Sequence, residues 1–351
     1  MRERLLPVAL IAAIALVAAA PASAQVVTCG QVITSDTTVE NDLTCGSDAL
    51  DSGEAALTVG APGITLNLNG HRIVSSRVGL RNDGYDGVTV RDGYIAATAQ
   101  TMEVTGVSSN TIADVVFNGI TDGLRVSDSD HLRIVRNEIQ GVTFSVDADD
   151  SVVARNRSTG SWEGIIGVSG SRDRIVENST AGSNLNVRIQ QSRLARNEIR
   201  LANLPVLVVF SDDNVIADNV LVGAAQDFGG PIWEIEASNR NLFRGNKIFR
   251  GRTFLEPSDG NVFRENVWFG SPGDGLVVTA AAPGTRLIDN LAVGNADDGF
   301  DVQAPGTRLR GNTADKNGDL GIEADPGVID AGGNTASGNG NPLQCTNVVC
   351  G

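Results

Sequence analysis

Histidine and lysine are almost missing from this chain: each occurs twice, as His71 and His131 and as Lys247 and Lys316. So few imidazoles leave no zinc-ligand spacing and no Ser/His/Asp triad, and no glycine loop of the phosphate-cradling kind occurs. Aromatic residues make up 4%, too few for rows of sugar-stacking platforms. Trp162 and the Trp268-Phe269 pair are read as lying in turns where they could stack sugars, with core or edge packing the preferred fate of each, and Trp162 is taken as a substrate-binding candidate. Cysteine is absent from the whole interior and confined to Cys29, Cys45, Cys345 and Cys350. Past the first two dozen residues, no apolar run approaches the roughly 20 needed to span a bilayer. Nor does any segment there sustain a 3.6-residue period, which excludes a helical bundle.

What is present begins with an export signal. Arg2 and Arg4 precede the apolar run Leu5–Ala20, and Ala22-Ser23-Ala24 supplies small residues for cleavage before Gln25. The expectation is a secreted, extracellular protein with no membrane association after cleavage. In that oxidising space four cysteines read as two disulfides. Three connectivities are open, of which local pairing closes the shortest loops. A loop the size of Cys29 to Cys45 would stabilise by about 3 kcal/mol on the chain-entropy estimate.

Without residues 1–24 the chain carries 25 basic and 41 acidic residues, a net charge of −16. That balance opposes nucleic-acid binding, which needs a basic footprint. It also opposes binding of acidic polysaccharide unless a cation intervenes. A monomer is expected.

The repeat decides the fold. Leu132-Arg-Ile-Val-Arg-Asn137, Val152-Val-Ala-Arg-Asn156, Arg174-Ile-Val-Glu-Asn178 and Arg193-Leu-Ala-Arg-Asn197 are versions of one unit. The series continues through Asn219, Asn246, Asn266, Asn290, Asn312 and Asn334, and upstream Asn69, Asp92 and Asp114 take the matching place, at spacings of 19 to 27 residues. Each unit holds several short alternating β-type runs separated by Gly, Asn, Asp and Ser. A unit of about 22 residues cannot hold a core alone and must stack on its neighbours as a solenoid. About 13 turns at the strand spacing give an all-β rod roughly 60 Å long. The expected division is a signal at 1–24, an N-terminal cap at 25–64, the helix proper at 65–337 and a C-terminal cap at 338–351. The recurring Asn is expected to adopt a left-handed bend conformation and to bond with its stacked counterparts.

On this repeat the chain resembles the secreted right-handed parallel β-helix proteins related to pectate lyases, over about 300 residues. Its opening from Cys29-Gly30 to Asn69-Gly70-His71 and its closing Gly338-Asn-Gly-Asn-Pro-Leu-Gln-Cys345 resemble a bacterial group of such proteins without settled function. The resemblance implies the fold; the wider group includes lyases, glycosidases, epimerases, tailspike-like binders and adhesins, so it leaves the activity open.

The last turns align without gaps. Asn290–Val302 over Asn312–Ala324 places Asp297 on Asp319, Phe300 on Ile322 and Asp301 on Glu323. Asn266–Val278 places Asp274 on Asp298. With Phe300 and Ile322 inward, Asp301 and Glu323 face outward, and acidic columns rise together. Converging carboxylates are the hard oxygen ligands calcium prefers. Asp297-Asp298-Gly299-Phe300-Asp301 also resembles the Asp-Asp-x-x-Asp calcium cluster of one pectate-lyase family, which implies Asp297, Asp298 and Asp301 as Ca2+ ligands. Asp274, Asp319 and Glu323 are candidate substrate contacts. The same resemblance implies a lysine base, for which Lys316 is the candidate, with Arg308 and Arg310 as alternatives of unfavourable pKa. A hydrolase would instead use two carboxylates, Asp301 with Glu323 or Asp298 with Asp301. The bland alternative for these acids is a solvated acidic face, and the preferred reading is a binder of extracellular glycan, with or without the assistance of calcium. The alternatives are a calcium-dependent uronan lyase or epimerase, and a surface adhesion solenoid, for which no long apolar outward face is traceable in the units.

Overall fold

The computed structural model describes residues 23–351 except 52, 121, 161–164, 183, 203–205 and 224–232. Residues 1–22 of the expected signal and Trp162 therefore lie outside the described residues, while Ser23–Gln25, across the expected cleavage point, pairs in parallel with Thr37–Val39. No helix occurs among those described; the chain winds into coils of three short strands, each pairing in parallel with its counterpart one coil on. A late coil shows the pattern: Arg286–Ile288 lies in the first ladder, Leu291–Val293 in the second and Phe300–Val302 in the third. The third ladder is a 14-stranded parallel sheet. The other two run as separate ladders except at Thr89–Ala97 and Thr111–Gly119, whose nine-residue strands span both and join them into one 27-stranded sheet. Residues 31–45 already contribute strands to all three ladders.

The three-residue strands bury their middle residue, or both end residues, according to face. Ile134, Val153, Ile175, Leu194, Ile216, Phe243, Phe263, Leu287 and Leu309 stack in one inward column, each at most 3% exposed. Phe243 and Phe263 stack face to face at 4.5 Å between ring centroids, and Trp268 fills the same core, its Nε1 donating to Thr253 Oγ1 at 2.8 Å. Trp268 thus belongs to a strand and to the core, not to a sugar-facing turn, because its position is the inward one of Val267–Phe269. Phe269, its neighbour, points out and is 51% exposed.

The asparagine column is real, and its conformational role differs from expectation. From Asn137 to Asn334 each side chain is buried and bonded to the next, for example Asn197 Nδ2 to Asn219 Oδ1 at 3.0 Å and Asn219 Nδ2 to Asn246 Oδ1 at 2.9 Å. The left-handed residue is the one before it: Arg136, Arg155, Glu177, Arg196, Asp218, Glu265 and Asp289 have φ between 54° and 61°. Asn69, Asp92 and Asp114 share that left-handed state and stand in this preceding column, not in the buried one. The amide column starts where Val115 N donates to Asn137 Oδ1. Two adjacent columns, one polar for bonding and one polar for its backbone conformation, had been merged by sequence alignment.

Both ends are closed by local disulfides, Cys29–Cys45 and Cys345–Cys350, so of the three connectivities the chain uses the one with the shortest loops.

Candidate functional site: a carboxylate cluster at the C-terminal coils

The register expected for the last coils holds: Phe300 pairs with Ile322 and Asp301 with Glu323, while both apolar side chains are fully buried. The corner leading into these strands is set by a second amide column, Asn295 to Asn317 at 2.9 Å and Asn317 to Asn339 at 3.0 Å. It was not foreseen, because it spans only the last coils. It fixes the backbone that carries Asp297 and Asp298.

Two of the acids are drawn inward by the backbone of the following coil. Asp274 Oδ1 accepts the Asp298 amide at 3.1 Å, and Asp298 Oδ1 accepts the Leu320 amide at 2.7 Å. Asp274 is 7% and Asp298 4% exposed, whereas Asp297, Asp319 and Glu323 are exposed and Asp301 is half-buried. The carboxylate oxygens of Asp274, Asp297 and Asp298 approach within 4.8 Å of one another. Asp301, expected in the ligand set, instead accepts from Gln303 Nε2 at 2.7 Å and stands outside this trio; Asp274, expected as a substrate contact, takes its place. The reason is geometric: Asp301 sits within the strand, while the other three occupy the corner before it.

One cation meets the trio. Arg252 donates from Nη2 to Asp274 Oδ2 at 2.8 Å and lies over the Phe254 ring. Gly273 leaves room for it, since a Cβ there would fall 2.6 Å from Arg252 Nε. Arg252 was missed because it lies one coil earlier, in the short Arg250-Gly-Arg252 corner. One pair does not offset so many acids. Burial pushes Asp297 upward, with Asp274 and Asp319 adding repulsion. Asp301 rises to about 6 through burial, against the Gln303 bond. Asp298 is pushed up furthest, by burial and by its contact with the Glu323 carboxyl.

Lys316 stands at a left-handed bend (φ 57°), exposed and without an ion pair among the described residues. Arg308 and Arg310 project from the first ladder, a different face from the cluster, and so do not approach it as alternative bases. The second ladder carries an outward apolar strip that single units do not reveal. Val220, Val222, Phe249, Val267, Phe269, Leu291 and Val293 occupy outward positions on consecutive coils, interrupted by Lys247 between Val220 and Val267.

A family model described as periplasmic copper-binding protein (NosD) matches residues 63–230, just under half of the chain. The nitrogen and sulfur donors that copper favours do not converge there among the described residues. His71 pairs with Asp42 and His131 with Asp130 at different corners, Met102 is buried in the core, and no cysteine is free. No curated protein matches the sequence. Among solved structures, the chain is similar to DFA-IIIase from Arthrobacter chlorophenolicus A6 (16% identity, 83% of this chain and 72% of that one, TM-score 0.43). It is also similar to the periplasmic alginate epimerase AlgG (14%, 91% and 82%, TM-score 0.43). A third is tailspike protein 3 of bacteriophage CBA120 (12%, 92% and 56%, TM-score 0.44), of which this chain spans little more than half. With its three parallel ladders and stacked amide columns, the chain is a right-handed parallel β-helix.

Proposed function

We propose that this protein is an exported binder of extracellular glycan, assisted by a calcium ion at Asp274, Asp297 and Asp298. The observation that carries the reading is the convergence of three carboxylates within 4.8 Å, two of them buried, with Arg252 as their single ion-pair partner among the described residues. Like charges this close repel by a few kcal/mol at most when partly desolvated, or roughly 1 kcal/mol or less in water. A hard divalent cation relieves that repulsion and takes oxygen ligands of this kind. Each ionised carboxylate keeps acceptor capacity beyond its present bond. A cation held there would neutralise acidic sugars approaching a surface of net charge −16. Asp319, Glu323 and Asp301 would border the ligand. Calcium titration of the mature protein by calorimetry tests this. Saturable binding lost in Asp274→Asn/Asp298→Asn supports it, and the absence of heat at millimolar calcium rejects it.

A second reading, surface adhesion, is favoured by the outward strip containing Phe249 and Phe269 on the second ladder. A uronan lyase or epimerase would need a base beside the cluster; Lys316 is the candidate, and Lys316→Ala in a uronate cleavage assay tests it.

A further inference from the structure

On the first ladder, the four coils nearest the C-terminal cluster turn arginines outward. Arg244 pairs in register with Arg264, Arg264 with Ile288, and Ile288 with Arg310; in the neighbouring column Arg286 pairs with Arg308 and Arg308 with Ile329. All five arginines are exposed. Arg308 and Arg310 share one strand two residues apart, so they stand on the same side of it. Guanidinium groups one coil apart, about 4.8 Å, repel each other.

Many exposed arginines of this acid-rich chain are matched, while Arg174 and Arg193, stacked in register earlier on the same ladder, are like this face in making no ion pair among the described residues. Arg136 pairs with Asp114, Arg155 and Arg196 with Glu177, Arg172 with Asp150, and Arg240 with Asp213. Arg244 and Arg264 share the single carboxylate of Glu265. Arg286, Arg308 and Arg310 make no ion pair among the described residues. The acids that flank them are engaged or turned elsewhere. Asp330 accepts from Val349 N, Gly332 N and Asn334 Nδ2, while Asp259 and Asp289 stand over Gly284 and Gly311 at the adjoining bends.

We propose that this face binds an acidic polysaccharide lengthwise, its carboxylates meeting Arg286, Arg308 and Arg310 at the rise of the coils and its sugar rings passing over Ile288 and Ile329. The inference rests on the reading of the protein as a glycan binder but needs no cation, since the face supplies its own positive charge. Guanidinium groups suit the task because they engage carboxylates in a bidentate fork. A polymer carrying one carboxylate per sugar offers acids repeatedly along its length, as the coils offer guanidinium groups.

Polygalacturonate binding by the full mature protein, measured with chelator present and at low salt, is the test. Wild type is expected to bind, and Arg286→Gln/Arg308→Gln/Arg310→Gln to bind at least tenfold more weakly with an unchanged melting temperature. The corresponding triple Lys variant should retain affinity within a few fold. Asp274→Asn/Asp298→Asn should bind as wild type does, which separates this face from the calcium site. No binding by wild type, equal affinity in the triple Gln variant, or equal binding of single-stranded DNA of matched charge would each overturn the proposal.

Discussion

Arg252 and Asp274 form an ion pair at 2.8 Å in which the aspartate side chain is 9% and the arginine side chain 26% exposed. The arginine occupies space that a cation at Asp274, Asp297 and Asp298 would compete for, and it also lessens their repulsion.

Replacing Arg252 by Gln should therefore separate stability from binding. Without metal the variant should lose about 1–3 kcal/mol, because a largely buried carboxylate loses its partner. Its calcium affinity should rise several-fold, since no fixed cation opposes the ion. Urea denaturation with and without calcium reads the first, calorimetry the second. A variant that binds calcium no better than wild type would show that Arg252 does not compete.

The acids of this corner also predict a pH dependence of unusual sign. Asp298 and Asp301 are raised in the folded protein, so the folded state retains protons that the unfolded chain has released. Their contribution to stability is complete below about pH 4 and is lost as pH rises through the folded values, near 6 for Asp301 and higher for Asp298. Melting temperature should fall between pH 5 and 8 in chelator. Calcium should restore it most at the upper end, and a flat profile with no calcium effect would contradict the cluster's electrostatics.

Asp173 gives a separate test of the same linkage. It stands in a corner column with Ser151 and Ser192, 1% exposed, its Oδ1 accepting from Ser151 N at 2.8 Å and its Oδ2 unpartnered. Burial raises it to about 7. Asn214 and Asn241, further along that column, place an amide where Asp173 has a carboxyl. Asp173→Asn should stabilise the protein at pH 8 by on the order of 2 kcal/mol and have little effect at pH 4, checked by chemical denaturation at both.

The amide column should be costly to interrupt at its centre. Asn219→Ala removes the bonds to Asn246 Oδ1 and Leu194 O, takes the acceptor from Asn197 N, and leaves Asn197 Nδ2 with Ile175 O alone. A loss of about 3–5 kcal/mol is expected from buried groups left unpaired. Asn334→Ala, at the end of the column, should cost less. Equal losses at both positions would argue against a cooperative ladder.

The parts of this structure legible in the sequence are those repeated at one offset. The stacking of Asp297 on Asp319 and of Asp301 on Glu323 could be written down from ungapped alignment, because parallel coils preserve register. The conformation of the recurring Asn could not, because Asn69, Asp92 and Asp114 resemble it chemically while occupying the preceding left-handed position. Which carboxylates lie together was not legible for a related reason: alignment puts residues in columns but does not say which column turns at a corner. Asp298 meets Glu323 diagonally, and Arg252 reaches Asp274 from the previous coil. Such contacts depend on where side chains point, which a linear repeat does not encode.

The asparagine bond is indifferent to how much chain separates its partners. It measures 3.0 Å between Asn137 and Asn156, 19 residues apart, and 2.9 Å between Asn219 and Asn246, 27 apart. The column therefore keeps its register whatever the length of chain between its members. A scaffold with this property can accept insertions one coil at a time, so new recognition loops can be grafted by lengthening a corner while the ladders on either side stay in register.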